Sequence, residues 1–193
     1  MRIDSQSMRT FRPLAVWVLA QAVCDPLYTM PNSWKSRAVS ATDVVAAVRS
    51  DTNVFLHGAC ATPTPLIEAM CARGDLAEVR LYHLHTSGPA PFAAHGREGE
   101  FRSISLFTGA PLRAAVGDGR ADFVPIFLSD IPGLFLSGAV ALDVAILQVS
   151  PPDRHGMCSL GTSCDAAKAA AETARIVIAE INEQMPRTHG NNV

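Results

Sequence analysis

Cysteine is sparse and unpaired here: five are scattered through 193 residues, and no two stand as a C-x-x-C pair. That excludes a thioredoxin-like redox motif and a disulfide framework, and it points to reduced, cytosolic thiols. Charge is also thin, at 18% of residues, with a net charge of −2 and no long basic run. An electrostatic nucleic-acid binder is therefore not expected, and acidic and basic residues alternate too evenly to make a membrane-surface patch. No apolar run is long enough to span a bilayer; residues 14–23 come nearest. Gly-x-Gly-x-x-Gly and the Gly-Lys-Ser/Thr of a phosphate-binding loop are both missing. What remains is apolar mass, 48% of the chain, enough to bury one sizeable core.

The N-terminus sets Arg2, Arg9 and Arg12 ahead of the apolar stretch 14–23. This is the layout of a secretory signal, but the cleavage pattern is poor, and Val23-Cys24 is a weak lipoprotein site. The alternative is an irregular extension, residues 1–30, with Met30 as the natural start.

From residue 40 onward, strands and helices alternate. Thr42 is expected to cap a short helix with Val44, Val45 and Val48 on its apolar face. "NVFLHG" reads as a buried strand ending at Gly58. Pro63 and Pro65 open a helix that Gly74 closes. "VRLYHL", "FRSISLF" and "ADFVPIFL" read as strands. "GAPLRAAVGDG" reads as a short helix, and so does "SDIPGLFLSG", capped by Ser129. "LDVAILQVS" is continuously apolar, as a strand covered on both faces of a parallel sheet must be. It is followed by an Ala-rich helix and "RIVIAEI", a βαβ unit. The fold class is α/β, an open and mostly parallel sheet with helices on both faces.

Four segments invite a chemical reading. His83 and His85, at i and i+2, are expected on one strand face, yet no companion ligand follows at metal spacing, and no metal site is assigned. Asp153, His155, Cys158 and Ser159 crowd one loop. Pro151-Pro152-Asp153 followed by Gly156 is turn chemistry, so neither a triad nor a reactive thiol is assigned there. "LHGACATPTPLIEAM" is a strand, a Gly turn and a helix start, which is where open α/β sheets bind ligands, and it fits an ordinary strand-to-helix turn as well. "INEQMPRTHG", with Asn182, Gln184, Arg187 and Thr188, is again a loop at a strand's carboxyl end, lining a crevice or simply exiting into solvent.

Taken in order, "HGACATPTPLIEAM", "FRSISLFTGAPLRAAVGDGRADFVPIFLSDIP", "LDVAILQVSPPDRHGMCSLGTSCD" and "VIAEINEQMPRTHG" resemble the N-terminal domain of the acetyl-CoA hydrolase / 4-hydroxybutyrate CoA-transferase family, a class I CoA-transferase family. The resemblance runs over about residues 34–190. It implies a NagB/RpiA/CoA-transferase-like fold, of which residues 31–193 form the N-terminal half only. It also implies coenzyme A as substrate rather than cofactor, with an acyl-CoA and a small carboxylate as partners. The family's nucleophile is a glutamate carried by a C-terminal domain, which this chain lacks; the expected partner is that missing half or a second copy of the chain. None of the seven glutamates here sits in a glycine-rich oxyanion setting, so no catalytic residue is assigned. Gly58, Ala59 and Pro63, with Asn182, Met185, Pro186 and Arg187, are the residues expected to line one wall of the acyl-CoA cleft.

Overall fold

The computed structural model describes residues 15–20 and 34–188. Its strands are β1 (Ala15–Ala20), β2 (Asn53–Leu56), β3 (Val79–His83), β4 (Phe101–Ser105), β5 (Ala121–Phe123), β6 (Val144–Val149) and β7 (Ile176–Ile181). Among the described residues they form one seven-stranded sheet in the order β1-β7-β6-β2-β3-β4-β5. Strands β2 to β7 run parallel, and β1 joins the β7 edge antiparallel, with Val16 opposite Glu180. This β1 lies inside the stretch expected to be an extension; the rest of that stretch, with the signal reading and Met30, lies outside the described residues.

Strand alternation sends successive side chains to opposite faces, and each face meets its own helices. On one face, Val54, Leu56, Leu81, Ile146 and Ile178 pack against Val44 and Val45 of α2 (Ala41–Val45). Leu66, Ile67 and Met70 of α3 (Thr64–Cys71) join them. On the other, Phe55, Ala145, Leu147, Ala179 and Ile181 meet Trp34 of α1 (Trp34–Arg37) and Ile131 and Phe135 of α5 (Ile131–Leu136). Ala167, Ala169 and Ala170 of α6 (Ala167–Thr173) complete that layer. The remaining helix, α4 (Arg113–Gly117), precedes β5. Every residue of β6 is buried, Gln148 included, as expected of a largely apolar strand covered on both faces.

Helix ends depart from expectation. The cap of α2 is Ser40, not Thr42: its Oγ accepts the Asp43 N–H at 3.1 Å and donates to Asp43 Oδ2 at 2.7 Å. Helix α3 ends on Ala72 in a right-handed conformation, so Gly74 is not its cap. Helix α5 follows a 3-10 turn and has no side-chain cap, which displaces Ser129 from that role. The "ADFVPIFL" strand stops at Phe123; two residues on, Pro125 has no N–H to continue a ladder. His83 and His85 do not share a face, because β3 ends between them: His83 is buried and His85 exposed.

Candidate functional site

In an open parallel sheet the loops after the strands gather at the carboxyl edge, where ligands bind. Three such loops, following β2, β6 and β7, are stitched together here. The first, residues 57–63, carries Gly58, Ala59 and Pro63. Ala59 is left-handed, at φ 51, a strained conformation for a residue with a side chain. Its N–H donates to the His85 carbonyl at 2.7 Å, and it forms an isolated parallel bridge with Thr86. Thr62 tightens the turn by donating to the Ala59 carbonyl at 2.8 Å and accepting the Ser87 N–H at 3.0 Å.

The second loop runs from Ser150 to Ala166, and the sequence reading of it as a shaped turn holds. Asp153 accepts the N–H groups of His155 and Met157, and Gly156 and Gly161 both take positive φ. It is also the joint between its two neighbours. His57 donates from Nε2 to the Ser163 carbonyl at 2.5 Å and accepts the Gln148 N–H on Nδ1 at 3.2 Å. A backbone carbonyl only accepts and a backbone N–H only donates, so this pair of bonds fixes one neutral tautomer. Desolvation lowers the His57 pKa in keeping with that. Cys60 Sγ stands 3.1 Å from both Thr162 Oγ1 and Ser163 Oγ, and hydrogen bonding to these hydroxyls lowers the pKa of this exposed thiol. Cys158, by contrast, is pushed up to about 11 by burial, an inert thiol.

The third loop, residues 182–188, carries Asn182, Met185, Pro186 and Arg187. Arg187 Nη2 donates to Asp153 Oδ2 at 2.9 Å and to the Met157 carbonyl at 3.1 Å; its Nη1 reaches Ser150 Oγ and the Pro151 carbonyl. The guanidinium thus clamps this loop onto the second one. Met185 packs so close to Gly161 that a Cβ there would stand 3.0 Å from its side chain. Asn182 donates to Gln148 Oε1 at 3.1 Å and accepts the Gln184 N–H at 2.8 Å.

Ser159 is the buried knot of the whole assembly. Its Oγ accepts the N–H of Gly161 at 3.0 Å and of Thr188 at 3.1 Å, and lies 2.7 Å from Thr188 Oγ1. Ser159→Ala leaves two backbone donors without their acceptor, and should cost roughly 2 kcal/mol. A fall in the urea midpoint, with faster proteolysis of residues 182–188, is the expected reading. An unchanged midpoint would show that the knot is dispensable.

The structure therefore sets the two expected groups, residues 58–63 and 182–187, on loops that both bond to the 150–166 loop. His57, Cys60 and Gln148 escaped the sequence reading, and Ser159 and Glu180 entered it only as catalytic candidates that were set aside. The polar Gln148 and Glu180 inside otherwise apolar strands were the available signal.

Similarity to known proteins bears on the family and the fold. Residues 27–192 match the family described as the acetyl-CoA hydrolase/transferase N-terminal domain. The chain is 43% identical over 170 residues to a succinyl-CoA:acetate/propanoyl-CoA:succinate CoA transferase of Fasciola hepatica, covering 86% of this chain and 35% of that protein. It is 37% identical over 160 residues to a 4-hydroxybutyrate coenzyme A transferase of Clostridium kluyveri, covering 82% of this chain and 37% of the relative. Among solved structures it resembles RipA from Yersinia pestis, with TM-score 0.73 and 27% identity over 79% of this chain and 38% of that one. It also resembles a 4-hydroxybutyrate CoA-transferase from Porphyromonas gingivalis, with TM-score 0.61 and 33% identity over 83% of this chain and 37% of that one. The chain spans little more than a third of the length of these relatives. With the carboxyl-edge loops, the parallel sheet and the family match in agreement, the chain belongs to the acetyl-CoA hydrolase/transferase family, whose N-terminal domain it carries.

Proposed function

We propose that this chain forms one wall of an acyl-CoA cleft in a CoA-transferase that moves CoA from an acyl-CoA to a small carboxylate, and that the attacking carboxylate is none of those within these 193 residues. The observation that carries this reading is the fate of the seven glutamates. Glu78, Glu98 and Glu100 precede β3 and β4 and so lie at the opposite, amino edge of the sheet. Glu68 and Glu172 sit on helices. Glu183 is paired with Lys35 at 2.7 Å, and Glu180 is buried and bonded to Gln148. None of them is a free carboxylate at the carboxyl edge, as attack on a thioester requires.

In this reading the wall orients substrate. Gly58, Ala59 and Pro63 shape one side, and Asn182, Met185, Pro186 and Arg187 the other. Coenzyme A enters as substrate. Among the described residues no helix is long and apolar enough to cross a membrane, and the reading is of a cytoplasmic protein.

The test is transfer from succinyl-CoA or acetyl-CoA to acetate or propionate. The 193-residue chain alone should give no turnover above background. Addition of a polypeptide matching the remaining two thirds of the relatives should restore it. Robust turnover by the chain alone would overturn the placement of the nucleophile elsewhere.

A second reading, a partner-binding half without catalysis of its own, is favoured by one specific patch. Phe107, Phe123, Phe127 and Leu128 are 48%, 50%, 79% and 59% exposed, near the carboxyl ends of β4 and β5. Phe107 and Phe123 line an open cavity of about 470 Å³ together with Thr108, Arg113 and Val116. In this reading the patch is a contact surface for another domain or chain.

A further inference from the structure

From the buried polar chain behind the third loop, we infer that Glu180 is a positioning residue, which sets the orientation of the Asn182 amide at the cleft by acting through Gln148. The inference rests on the reading that Asn182 lines the acyl-CoA cleft, but its physical core does not. Glu180 Oε1 accepts from Gln148 Nε2 at 2.9 Å, and Gln148 Oε1 in turn accepts from Asn182 Nδ2 at 3.1 Å. The Asn182 Oδ1 end is held by the Gln184 N–H at 2.8 Å. Each amide can satisfy these bonds in one orientation only, so the carboxylate at the back of the chain decides which end of Asn182 faces which way.

A glutamate this deep in a sheet needs a reason. Glu180 is 1% exposed, and its Oε2 has no hydrogen-bond partner among the described residues. An apolar side chain in its place would bury more cheaply, since a lone carboxylate in a core is costly. Among the described residues no charged group compensates it, and Gln148 is its hydrogen-bond partner. By strand alternation it follows Ile178 on the face covered by α2 and α3. The adjoining β6 contributes Gln148 and no ionisable side chain, and the β1 sequence, Ala-Val-Trp-Val-Leu-Ala, has none. On the same face His83 is neutral, Cys71 is pushed up to about 11, Asp43 and Glu68 are exposed, and Arg73 and Arg97 are paired with Asp75 and Glu100; on the opposite face Lys35 is paired with Glu183. Desolvation therefore dominates, with Gln148 opposing it, and Glu180 titrates near 7.

Ionisation makes Glu180 a stronger acceptor. It polarises the Gln148 amide and strengthens the bond to Asn182. The side-chain amide signals of Asn182 should report this in a ¹H–¹⁵N spectrum of the 193-residue chain. They are expected to move with pH, with a midpoint near 7. In Glu180→Gln, which keeps the shape and the acceptor for Gln148, the movement should vanish. In Gln148→Leu, which cuts the link, Asn182 should be flat while Glu180 still titrates in a carboxyl-detected experiment. Wild-type Asn182 signals that ignore pH from 5 to 9 would overturn the inference, and so would signals that titrate equally in Glu180→Gln. A chain that fails to support CoA transfer but passes this titration refutes the proposed cleft and leaves the relay standing.

Discussion

At pH 8 the Glu180→Gln chain should be more stable than the wild type by about 3 kcal/mol, a gain that shrinks towards zero as pH falls to 4.5. The direction follows from the proton. Burial raises the Glu180 pKa from its ordinary 4.5 to about 7, so the folded chain holds that proton more tightly than the unfolded chain does. The associated stability is fully present below 4.5 and is lost as pH rises through 7. A neutral glutamine never incurs that loss, and its carbonyl still accepts from Gln148. In melting temperature the gain corresponds to roughly 6–12 °C for a chain of this size. His83 acts in the opposite sense. Burial lowers its pKa from 6.5 to about 4, so its contribution is present above 6.5 and lost as pH falls through 4. Between about 4.5 and 6.5 the Glu180 slope opposes the His83 slope, to which buried His57 adds, so the wild type should gain stability with pH only shallowly. Removing Glu180 uncovers the histidine slope, and the variant should grow steadily more stable from pH 4 to 6.5. Urea midpoints measured across that range test both statements. An equal gain at pH 5 and pH 8 would show that Glu180 is not the titrating group.

Gly58→Ala should destabilise the chain by roughly 3 kcal/mol, although it adds one methyl group. A Cβ at position 58 would lie 2.6 Å from the His85 carbonyl oxygen, well inside contact distance. That oxygen is backbone and cannot swing aside. It is also the acceptor for the Ala59 N–H at 2.7 Å, so any retreat breaks the bond that holds Ala59 in its strained conformation. Gly161→Ala is the useful comparison. Its Cβ would meet the flexible Met185 side chain at 3.0 Å, so the steric part of its cost is smaller, although φ of 67 adds strain. Chemical denaturation of both variants would decide the matter. A Gly58→Ala midpoint equal to the wild type would remove the claim that backbone contact dictates this glycine.

Much of this architecture was readable in advance, for identifiable reasons. Largely apolar, non-alternating runs such as the one in β6 occur where a strand is covered on both faces, and the Ala-rich helix between β6 and β7 has few other options. Cap positions were less legible. Ser40 and Thr42 both offer a hydroxyl, but only Ser40 has an acidic residue three positions on, and that spacing was the overlooked sign. Histidine geometry failed where a strand ended one residue early, which freed His85 from the alternation. The deeper misses are long-range. Glu180 is a lone charge near the end of an apolar strand, and its role shows only when Gln148, 32 residues away, is set beside it. Ser159 reads as one more small residue in a turn, because its partner Thr188 is 29 residues distant. Gly58 was selected as a turn former; the closeness of the His85 backbone, which makes it necessary, is a property of neighbouring strands and not of local sequence.

The outer strand β5 has a consequence for how copies of this protein meet. It offers only three residues, and its central Asp122 is engaged by Arg102 of β4. An incoming strand would find too short a ladder to add to, so this border resists the template-like growth that leads to fibrils. Crowding of the pure chain should then yield small, salt- and detergent-sensitive clusters held by phenylalanine side chains, rather than extended polymers seeded at this border.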